Sequence, residues 1–361
     1  MQSSAGSGYT GVITAIDPVS SSSSRTSVTY SVTVQINVED EEDSLSANES
    51  VTVVFGMTEE EIEQLQQRQS MQGRPDDVSD GDAMPQGGPG GGEKLERWGD
   101  VTLLRPDPQA VWPMGRGNAK PDAHYIRSSS GGGHWEYNAS LAESWTIRWR
   151  ELTFLVRPTG FKHTGLFPEQ AVNWAWMQDI IRNAKLKSGE KPRVLNLFAY
   201  TGGATCALAS AGAEVVHVDA AKGMVAWAKD NLNQSGLGDR PVRFIVDDVM
   251  KFVLREQRRG RTYHGILMDP PSYGRGPNGE MWKIEEGLYP LLAECVKLMD
   301  DEALFFLINS YTTGLAPTVL SNALKVAMER GNIEAGEVGL PITRGGQGLV
   351  LPCGASGRWT K

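Results

Sequence analysis

The sequence predicts an α/β protein with a doubly wound, Rossmann-like, mainly parallel sheet. Two observations predict it. From residue 193 onward, short apolar runs alternate with segments of helical length, which is typical of a parallel sheet covered by helices. Four of those runs are also followed by a polar residue, namely Asp219, Asp248, Asp269 and Asn309. Because ligands of such sheets bind at the carboxyl ends of the strands, these residues indicate a site at one sheet edge.

The first strand–helix–strand unit contains the clearest motif. An apolar run at 194–199 leads into the turn Tyr200–Gly203, and a second apolar run ends at Asp219. The glycine pair allows a sharp turn and leaves no side chain between the backbone and a ligand. An acid after the second strand can accept hydrogen bonds from ribose hydroxyls. Since G-x-G-x-x-G is absent, a nucleoside ligand without pyrophosphate is favoured, with a plain structural turn as the alternative.

The other elements follow from apolar patterning and end signals. Helices are predicted at 168–184, 223–235, 250–259, 281–299 and 316–329, the first beginning at a proline. Strands are predicted at 242–246, 263–268 and 303–308, followed by an antiparallel closing pair at 333–340 and 348–351. These elements assign residues 158–361 to the Rossmann-like domain.

The first ninety residues differ in composition. Residues 1–70 predict a small acidic β-rich appendage, with strands at 11–16, 27–38 and 51–55 and a helix at 58–69. An accessory fold without a site of its own is the simplest interpretation. Residues 71–92 are rich in Gly and Pro and nearly free of apolar residues, which predicts a flexible linker.

Residues 93–157 predict a small Trp-rich β subdomain. Strands are expected at 101–104, 145–149 and 152–156, and loops at 105–108 and 131–135. The aromatics are mixed with arginines that could hold unpaired bases: Arg105, Arg116, Arg127, Arg148 and Arg150. The alternative, which we favour for most of the aromatics, is that they form the subdomain core.

Composition restricts the class of protein. The net charge is −9, but residues 1–93 carry −13 and the remainder +4, which is compatible with a nucleic-acid substrate. No apolar run is long enough for a membrane helix, and no secretory signal is evident. Cys206, Cys295 and Cys353 have no metal-type spacing, so neither a metal site nor a disulfide is expected. These features predict a cytoplasmic protein, while the oligomeric state stays undetermined.

The motifs resemble those of class I S-adenosylmethionine-dependent methyltransferases. More narrowly, residues 94–361 resemble the family that methylates bases of large-subunit ribosomal RNA. Residues 196–203 are similar to its first cofactor motif, and 162–170 to its motif before the sheet, with Ala171 where the family has arginine. Residues 246–249 resemble the adenine-contacting turn, and 269–271, Asp-Pro-Pro, the catalytic motif.

The resemblance implies S-adenosyl-L-methionine as cofactor, an RNA substrate and a set of site residues. It implies that Asp219 binds the ribose, that Asp248, seconded by Asp247, contacts the adenine, and that Asp269 faces the target. Tyr273 would stack on the target base, and the carbonyls of Pro270 and Pro271 would point at an amine. Asn309 completes the catalytic set. The remaining cofactor residues are Lys162, Thr164, Gly165, Phe167, Gln170, Phe198, Tyr200, Thr201, Gly202 and Gly203.

The cysteines bear on the atom that is methylated. Carbon-5 methylation of a pyrimidine needs a thiolate nucleophile, and in the family that cysteine follows the fifth strand, where this chain has Asn309-Ser310-Tyr311. Cys353 is the only cysteine predicted in a loop. A base nitrogen is therefore the favoured acceptor. A methyltransferase acting on protein or a small molecule, or a non-catalytic binding module, remain alternatives.

Overall fold

The computed structural model describes residues 10–19, 29–37, 86–112, 120–128, 132–187, 189–276, 279–342 and 349–361. It divides into two compact units, Met1–Asp77 and Val78–Lys361. In the first unit, strands β1 (Thr10–Val19) and β2 (Thr29–Asn37) pair antiparallel. They confirm the strands predicted at 11–16 and 27–38. The strand at 51–55, the helix at 58–69 and most of the predicted linker lie outside the described residues.

The end of the predicted linker has regular structure. Strand β3 (Gln86–Gly90) pairs antiparallel with β4 (Glu93–Trp98). Gly91 and Gly92 connect them with φ of 64° and 80°. A two-residue hairpin turn requires this left-handed backbone, which glycine adopts without strain. The glycines that suggested a flexible tether therefore form a hairpin in the second unit.

The Trp-rich subdomain is a five-stranded sheet with a separate hairpin. Its strands follow the order β3-β4-β5-β6-β7, and β8 pairs with β9. The structure confirms the three predicted strands but shows that the loop predicted at 131–135 is partly wrong, because β7 begins at Gly133. Trp98 and Phe154 are buried in its core, which supports the core interpretation of the aromatics. The remaining bounds are β5 Val101–Pro106, β6 Ala123–Arg127, β7 Gly133–Tyr137, β8 Trp145–Trp149 and β9 Leu152–Val156.

The second unit is built around a seven-stranded sheet that confirms the predicted fold class. Five strands are parallel: β10 Arg193–Leu197, β11 Glu214–Asp219, β12 Val242–Val246, β13 Gly265–Met268 and β16 Phe305–Ser310. Two are antiparallel to their neighbours: β17 Asn332–Pro341 and β18 Val350–Thr360. The order is β12-β11-β10-β13-β16-β18-β17. Strand β18 is longer than the predicted 348–351 and contains Cys353, so the placement of that cysteine in a loop was wrong.

Helices cover the sheet. They are α1 Ala171–Asn183, α2 Gly203–Ser210, α3 Lys222–Gln234, α4 Val249–Arg258, α5 Ile284–Val296 and α6 Pro317–Ala327. A 3₁₀ turn, Pro168–Gln170, precedes α1. The helix predicted at 281–299 begins later, because β14 (Tyr273–Arg275) and β15 (Met281–Lys283) form a hairpin before it. The central strands β13 and β16 are fully buried, as expected for parallel strands with helices on both faces.

The sheet order reverses direction at β10. From β10 the chain adds β11 and β12 on one side. It then crosses to the other side of β10 and adds β13 and β16. Outside the carboxyl ends of the strands this reversal opens a crevice, which is the usual ligand position in such sheets.

Candidate active site

A cleft of about 550 Å³ lies at the carboxyl ends of the central strands. It brings together eight predicted site residues: Lys162, Phe167, Phe198, Tyr200, Asp219, Asp269, Pro270 and Pro271. An adjoining, smaller cavity is lined by four more: Gln170, Thr201, Gly203 and Asn309. The other six predicted residues line neither: Thr164, Gly165, Gly202, Asp247, Asp248 and Tyr273.

The glycine turn is strained and tightly packed. Phe198 and Tyr200 have φ of 55° and 50°, values that non-glycine residues seldom adopt. Gly202 also has a left-handed φ of 82°, and a Cβ there would lie 2.9 Å from the Cβ of Ala228. A Cβ on Gly203 would lie 2.7 Å from the ring of Trp174. The pair is thus required by packing against two helices, which the sequence interpretation did not include.

Asp219 ties this turn to the end of β11. Its Oδ2 accepts a hydrogen bond from the Tyr200 amide at 2.8 Å, and its Oδ1 accepts one from the Ala221 amide at 2.8 Å. Burial raises the pKa of this carboxyl group, while the two amide hydrogen bonds oppose the rise. A carboxylate has about four acceptor sites, so two remain for a ligand in the cleft.

The two acids after β12 have protein partners. Asp248 caps α4, and its Oδ1 accepts from the Lys251 amide at 2.9 Å. Asp247 accepts from Arg255 at 2.5 Å and from the Asp248 amide at 2.9 Å. Each of the two carboxylates therefore has a hydrogen-bond partner within the protein. Their predicted contact with an adenine ring remains a prediction.

The motif before the sheet supports the turn as well as the cleft. The hydroxyl of Thr201 donates to the Gly165 carbonyl. Gly165 has a φ of 97°, and a Cβ there would overlap the ring of Trp227. Phe167 packs between Tyr200 and Tyr311, with ring centroids 5.5 and 5.3 Å apart, and forms an aromatic wall of the cleft. Thr164 is buried, and its hydroxyl has no partner among the described residues.

Asp269 differs electrostatically from the other acids. Its Oδ1 is buried and has no hydrogen-bond partner among the described residues. Burial, reinforced by the negative charge of Glu169, raises the pKa of Asp269 to about 7. The charged form of this carboxyl group is therefore poorly stabilised by the protein alone.

The loop after Asp269 is fixed by β15. Nε1 of Trp282 donates to the Pro271 carbonyl at 2.7 Å, and its ring packs on Phe198 with centroids 5.0 Å apart. The Pro271 carbonyl therefore has one protein partner and a second lone pair, and its predicted contact with a substrate amine stays a prediction. Tyr273 lies in the hairpin and is 54% exposed, with its hydroxyl 3.5 Å from the sulfur of Met281.

The β subdomain supplies a charged wall that the motifs did not reveal. Arg105 makes two hydrogen bonds to Glu96, at 2.5 and 2.8 Å, and Lys94 lies 3.4 Å from the same carboxylate. Although burial opposes it, the charges of Arg105 and Lys94 lower the pKa of Glu96 to about 2. Arg127 and Lys162 also line the cleft, and neither has an ion pair within 4.0 Å among the described residues.

Of the five arginines considered for RNA binding, Arg105 and Arg127 line the cleft. Arg148 and Arg150 do not, and Arg116 lies outside the described residues. Arg150 instead packs over Trp149 and hydrogen-bonds Gln178. The pattern of aromatic and basic residues in the sequence could not distinguish the arginines that line the cleft from those that do not.

Asn309 lies behind the cleft in a buried hydrogen-bond network. Its Nδ2 donates to Gln170 at 3.0 Å, and its Oδ1 accepts from Ser356 at 2.6 Å. Gln170 in turn donates to the Tyr311 hydroxyl at 2.7 Å. The side-chain amides of Asn309 and Gln170 thus form hydrogen bonds within the protein. Tyr311, at the end of this network, lines the cleft.

The comparisons with known proteins agree with this geometry. A model of the S-adenosylmethionine-dependent methyltransferase family matches residues 102–284, just over half of the chain. The chain belongs to this family. A solved SAM-dependent methyltransferase from Agrobacterium tumefaciens is 36% identical, with a TM-score of 0.71, covering 76% of this chain and 89% of that one.

Curated relatives include ribosomal RNA methyltransferases. Ribosomal RNA large subunit methyltransferase K/L of Shewanella baltica is 32% identical over 40% of this chain, and methyltransferase K of Neisseria meningitidis is 25% identical over 53%. The matched regions cover 19% and 52% of those proteins, so the chain spans at most about half the length of these curated relatives.

The residues of the methyltransferase site fit S-adenosylmethionine, the cofactor of the family. Phe198 and Tyr200 of the turn line the cleft together with Asp219, which has free acceptor sites. Across the described residues there is no group of three or more potential metal ligands. In the same part of the chain, every helix is too short or too polar to cross a membrane.

Proposed function

We propose that this methyltransferase methylates a nitrogen of an RNA base, with ribosomal RNA as its substrate inside the cell. The observation that carries the proposal is Asp269, which lines the cleft and whose buried Oδ1 has no partner among the described residues. A buried acceptor without a partner is costly, and an N–H group of a substrate would satisfy it.

The cofactor supplies an electrophilic sulfonium methyl group and its positive charge. The chain positions the acceptor. Asp269 would accept a hydrogen bond from the N–H of the acceptor nitrogen and hold its lone pair in line for attack, while Trp282 keeps the following loop rigid through Pro271. On the other side, Asp219 would hold the ribose hydroxyls of the cofactor, and Tyr200–Gly203 its methionine part.

The substrate class is supported by the opposite wall. Arg127 and Lys162 line the cleft, and within the described part of the chain neither has an ion pair, so phosphate groups of RNA would satisfy both cations. The aromatic wall of Phe167, Tyr200 and Tyr311 offers faces on which a base can stack. The ribosomal RNA methyltransferases among the relatives support the same class.

The thiol chemistry of carbon methylation is disfavoured by the environment of Cys353. This cysteine lines the cleft, but burial raises the pKa of its thiol to about 12. Cys206 and Cys295 are fully buried in the core. A thiolate nucleophile is therefore scarce at neutral pH, which supports a nitrogen acceptor.

A methyl-transfer assay tests the proposal. A radiolabelled methyl donor is supplied with ribosomal RNA, total protein or a small-molecule extract from cells lacking the enzyme. We expect label in RNA, on a base nitrogen after nuclease digestion, and little label with Asp269→Ala. Label in the protein or small-molecule fraction alone, or on a base carbon, would refute the substrate or the acceptor.

A further inference from the structure

A buried network beside Asp269 fixes the direction of one hydrogen bond in the cleft. It comprises Gln170, Asn173, Asn309, Ser356 and Arg358, here called the amide network, and it ends at Tyr311. It joins the start of α1 to strands β16 and β18. All of its members except Arg358 and Tyr311 are buried.

Arg358 sets the polarity of the network. A guanidinium group only donates hydrogen bonds, and its Nε and Nη2 lie 2.9 and 2.5 Å from Oδ1 of Asn173. The oxygen of Asn173 therefore faces Arg358, and its Nδ2 faces the other members. That Nδ2 donates to Oε1 of Gln170 at 2.7 Å.

Gln170 passes this polarity to Tyr311. Its Oε1 accepts from both Asn173 and Asn309, so its Nε2 is the atom that donates to the Tyr311 hydroxyl at 2.7 Å. A phenol carries one hydrogen, and the Tyr311 oxygen already accepts from Gln170. The hydroxyl hydrogen must consequently point away from Gln170. The described residues offer it no acceptor within hydrogen-bond distance.

Tyr311 lines the same cleft as Asp269, and its ring is held against Phe167. The Tyr311 hydroxyl is thus a donor for which the described residues offer no acceptor, and Oδ1 of Asp269 is a buried acceptor for which they offer no donor. On the edges of nucleobases, N–H groups commonly lie next to a ring nitrogen or a carbonyl oxygen that accepts. Such an edge would satisfy both groups at once.

We propose that the Tyr311 hydroxyl donates to the ring nitrogen or carbonyl oxygen next to the methylated nitrogen, so that Tyr311 and Asp269 together recognise one acceptor–donor edge of the base. This assignment rests on the proposed function. Tyr311 is then a specificity-determining residue that touches the substrate. Gln170, Asn173 and Arg358 are positioning residues, because they act through the direction of the Tyr311 hydrogen bond.

The test compares an RNA oligonucleotide spanning the mapped methylation site with one in which the neighbouring acceptor is replaced by C–H. For the wild type, kcat/KM should fall about tenfold or more on the analogue, the scale of one buried hydroxyl left unpaired. Tyr311→Phe should lose a similar factor on the natural RNA and nothing further on the analogue, because the two changes remove the same bond. Tyr289→Phe, an exposed tyrosine on α5, is the control and should behave as the wild type.

Two further variants examine the polarity itself. Gln170→Glu presents a carboxylate to Tyr311, which would draw the hydroxyl hydrogen away from the cleft and abolish discrimination between the two RNAs. Arg358→Lys keeps a donor-only group opposite Asn173 and should retain discrimination, whereas Arg358→Met should lose it. Binding of S-adenosylhomocysteine and thermal melting confirm that each variant is folded.

The outcomes separate the two proposals. A wild type that methylates a base nitrogen, with Tyr311→Phe still showing the full penalty on the analogue, overturns the role of Tyr311 alone. The same follows if the wild type does not discriminate between the two RNAs. A wild type that leaves RNA nitrogen unmethylated overturns the proposed function and this role with it.

Discussion

The acidic residues on the two sides of the cleft differ in whether the protein supplies hydrogen-bond partners for their carboxylates. On the side of β11, both oxygens of Asp219 accept hydrogen bonds from backbone amides, and Asp247 and Asp248 likewise have protein partners. On the side of β13, the buried Oδ1 of Asp269 has none among the described residues, and burial raises the pKa of Asp269 to about 7.

Asp219 both holds the fold and keeps two acceptor sites for a ligand, whereas the fold gives the buried Oδ1 of Asp269 no partner among the described residues. Asp219 contributes to the fold because it fixes a turn containing two residues with left-handed backbone. Asp269 contributes nothing comparable, and its ionised form destabilises the folded state. A residue kept at a cost to stability is an indicator of function. Each prediction below would sharpen or break this contrast.

The largest effect is expected for Asp269→Ala, which removes the acceptor. Losing one positioning group in a reaction of this kind commonly costs ~100-fold or more in rate. Affinity for S-adenosylhomocysteine should change little, because the group faces the substrate. Single-turnover kinetics and calorimetry measure the two quantities separately. A variant that loses affinity in proportion to its rate would place Asp269 on the cofactor side instead.

Asp219→Ala should show the opposite pattern. Removing this acceptor should weaken S-adenosylhomocysteine binding by roughly 1.5–3 kcal/mol, the scale of hydrogen bonds to a charged group. Asp248→Ala is the matched comparison, because it removes a helix cap worth about 1 kcal/mol of stability. Calorimetry shows whether that variant also loses affinity, and unchanged affinity would contradict the adenine contact predicted for Asp248. An equal loss in both would support the adenine contact predicted for Asp248.

The difference in stability between the wild type and Asp269→Asn should depend on pH. The pKa of Asp269 is raised to about 7 in the folded state from 3.8, so the folded wild type binds more protons than the unfolded chain between these values. Its stability therefore falls as the pH rises through this window. Asparagine lacks this loss, so the melting temperature of the variant should exceed that of the wild type increasingly from pH 5 to pH 8. A constant difference would contradict the raised pKa.

A smaller effect is expected from the glycine turn. Gly203→Ala places a methyl group 2.7 Å from Trp174, so the ring must move, and overpacking of this kind costs about 1–3 kcal/mol. Gly223→Ala, in α3 with open space around it, is the control and should be neutral or slightly stabilising. Denaturant unfolding measures both. Equal stabilities of the two variants would show that the Trp174 ring can move aside at little cost in free energy.

The smallest effect is expected for Cys353→Ala. Its thiol has a pKa of about 12 and donates only a weak hydrogen bond to the Leu351 carbonyl at 3.4 Å. Turnover should stay close to that of the wild type, and RNA carrying 5-fluoropyrimidines should form no covalent adduct. An adduct that disappears in this variant would overturn the nitrogen assignment.

The sequence predicted the parallel sheet well, because strands such as β13 and β16 are continuous apolar runs between helices of ordinary length. It also predicted that Asp219 and Asp269 lie at the carboxyl ends of strands, and they lie at the ends of β11 and β13. It missed β4, β6 and β7, since these short strands carry charged or glycine residues and are specified by their neighbours in the sheet.

The rest of the site depends on contacts between distant residues. The pairing of Arg105 with Glu96 leaves no mark in the local pattern, because two strands of a sheet must first be aligned. Tyr311 was seen only as a replacement for cysteine. The direction of its hydrogen bond depends on Gln170 and Arg358. That direction follows from contacts in the folded chain and cannot be inferred from residue type.

Strand β18 also has a consequence for the order in which the enzyme is made. Asn173 and Arg358 are 185 positions apart, and Gln170 and Tyr311 are 141 apart. Contacts of such long range form late, because the entropy of closing the intervening chain must first be overcome. During synthesis the earlier strands emerge and can associate while β18 is still inside the ribosome. The hydrogen bonds that orient the Tyr311 hydroxyl therefore form only after the strands around the glycine turn have left the ribosome.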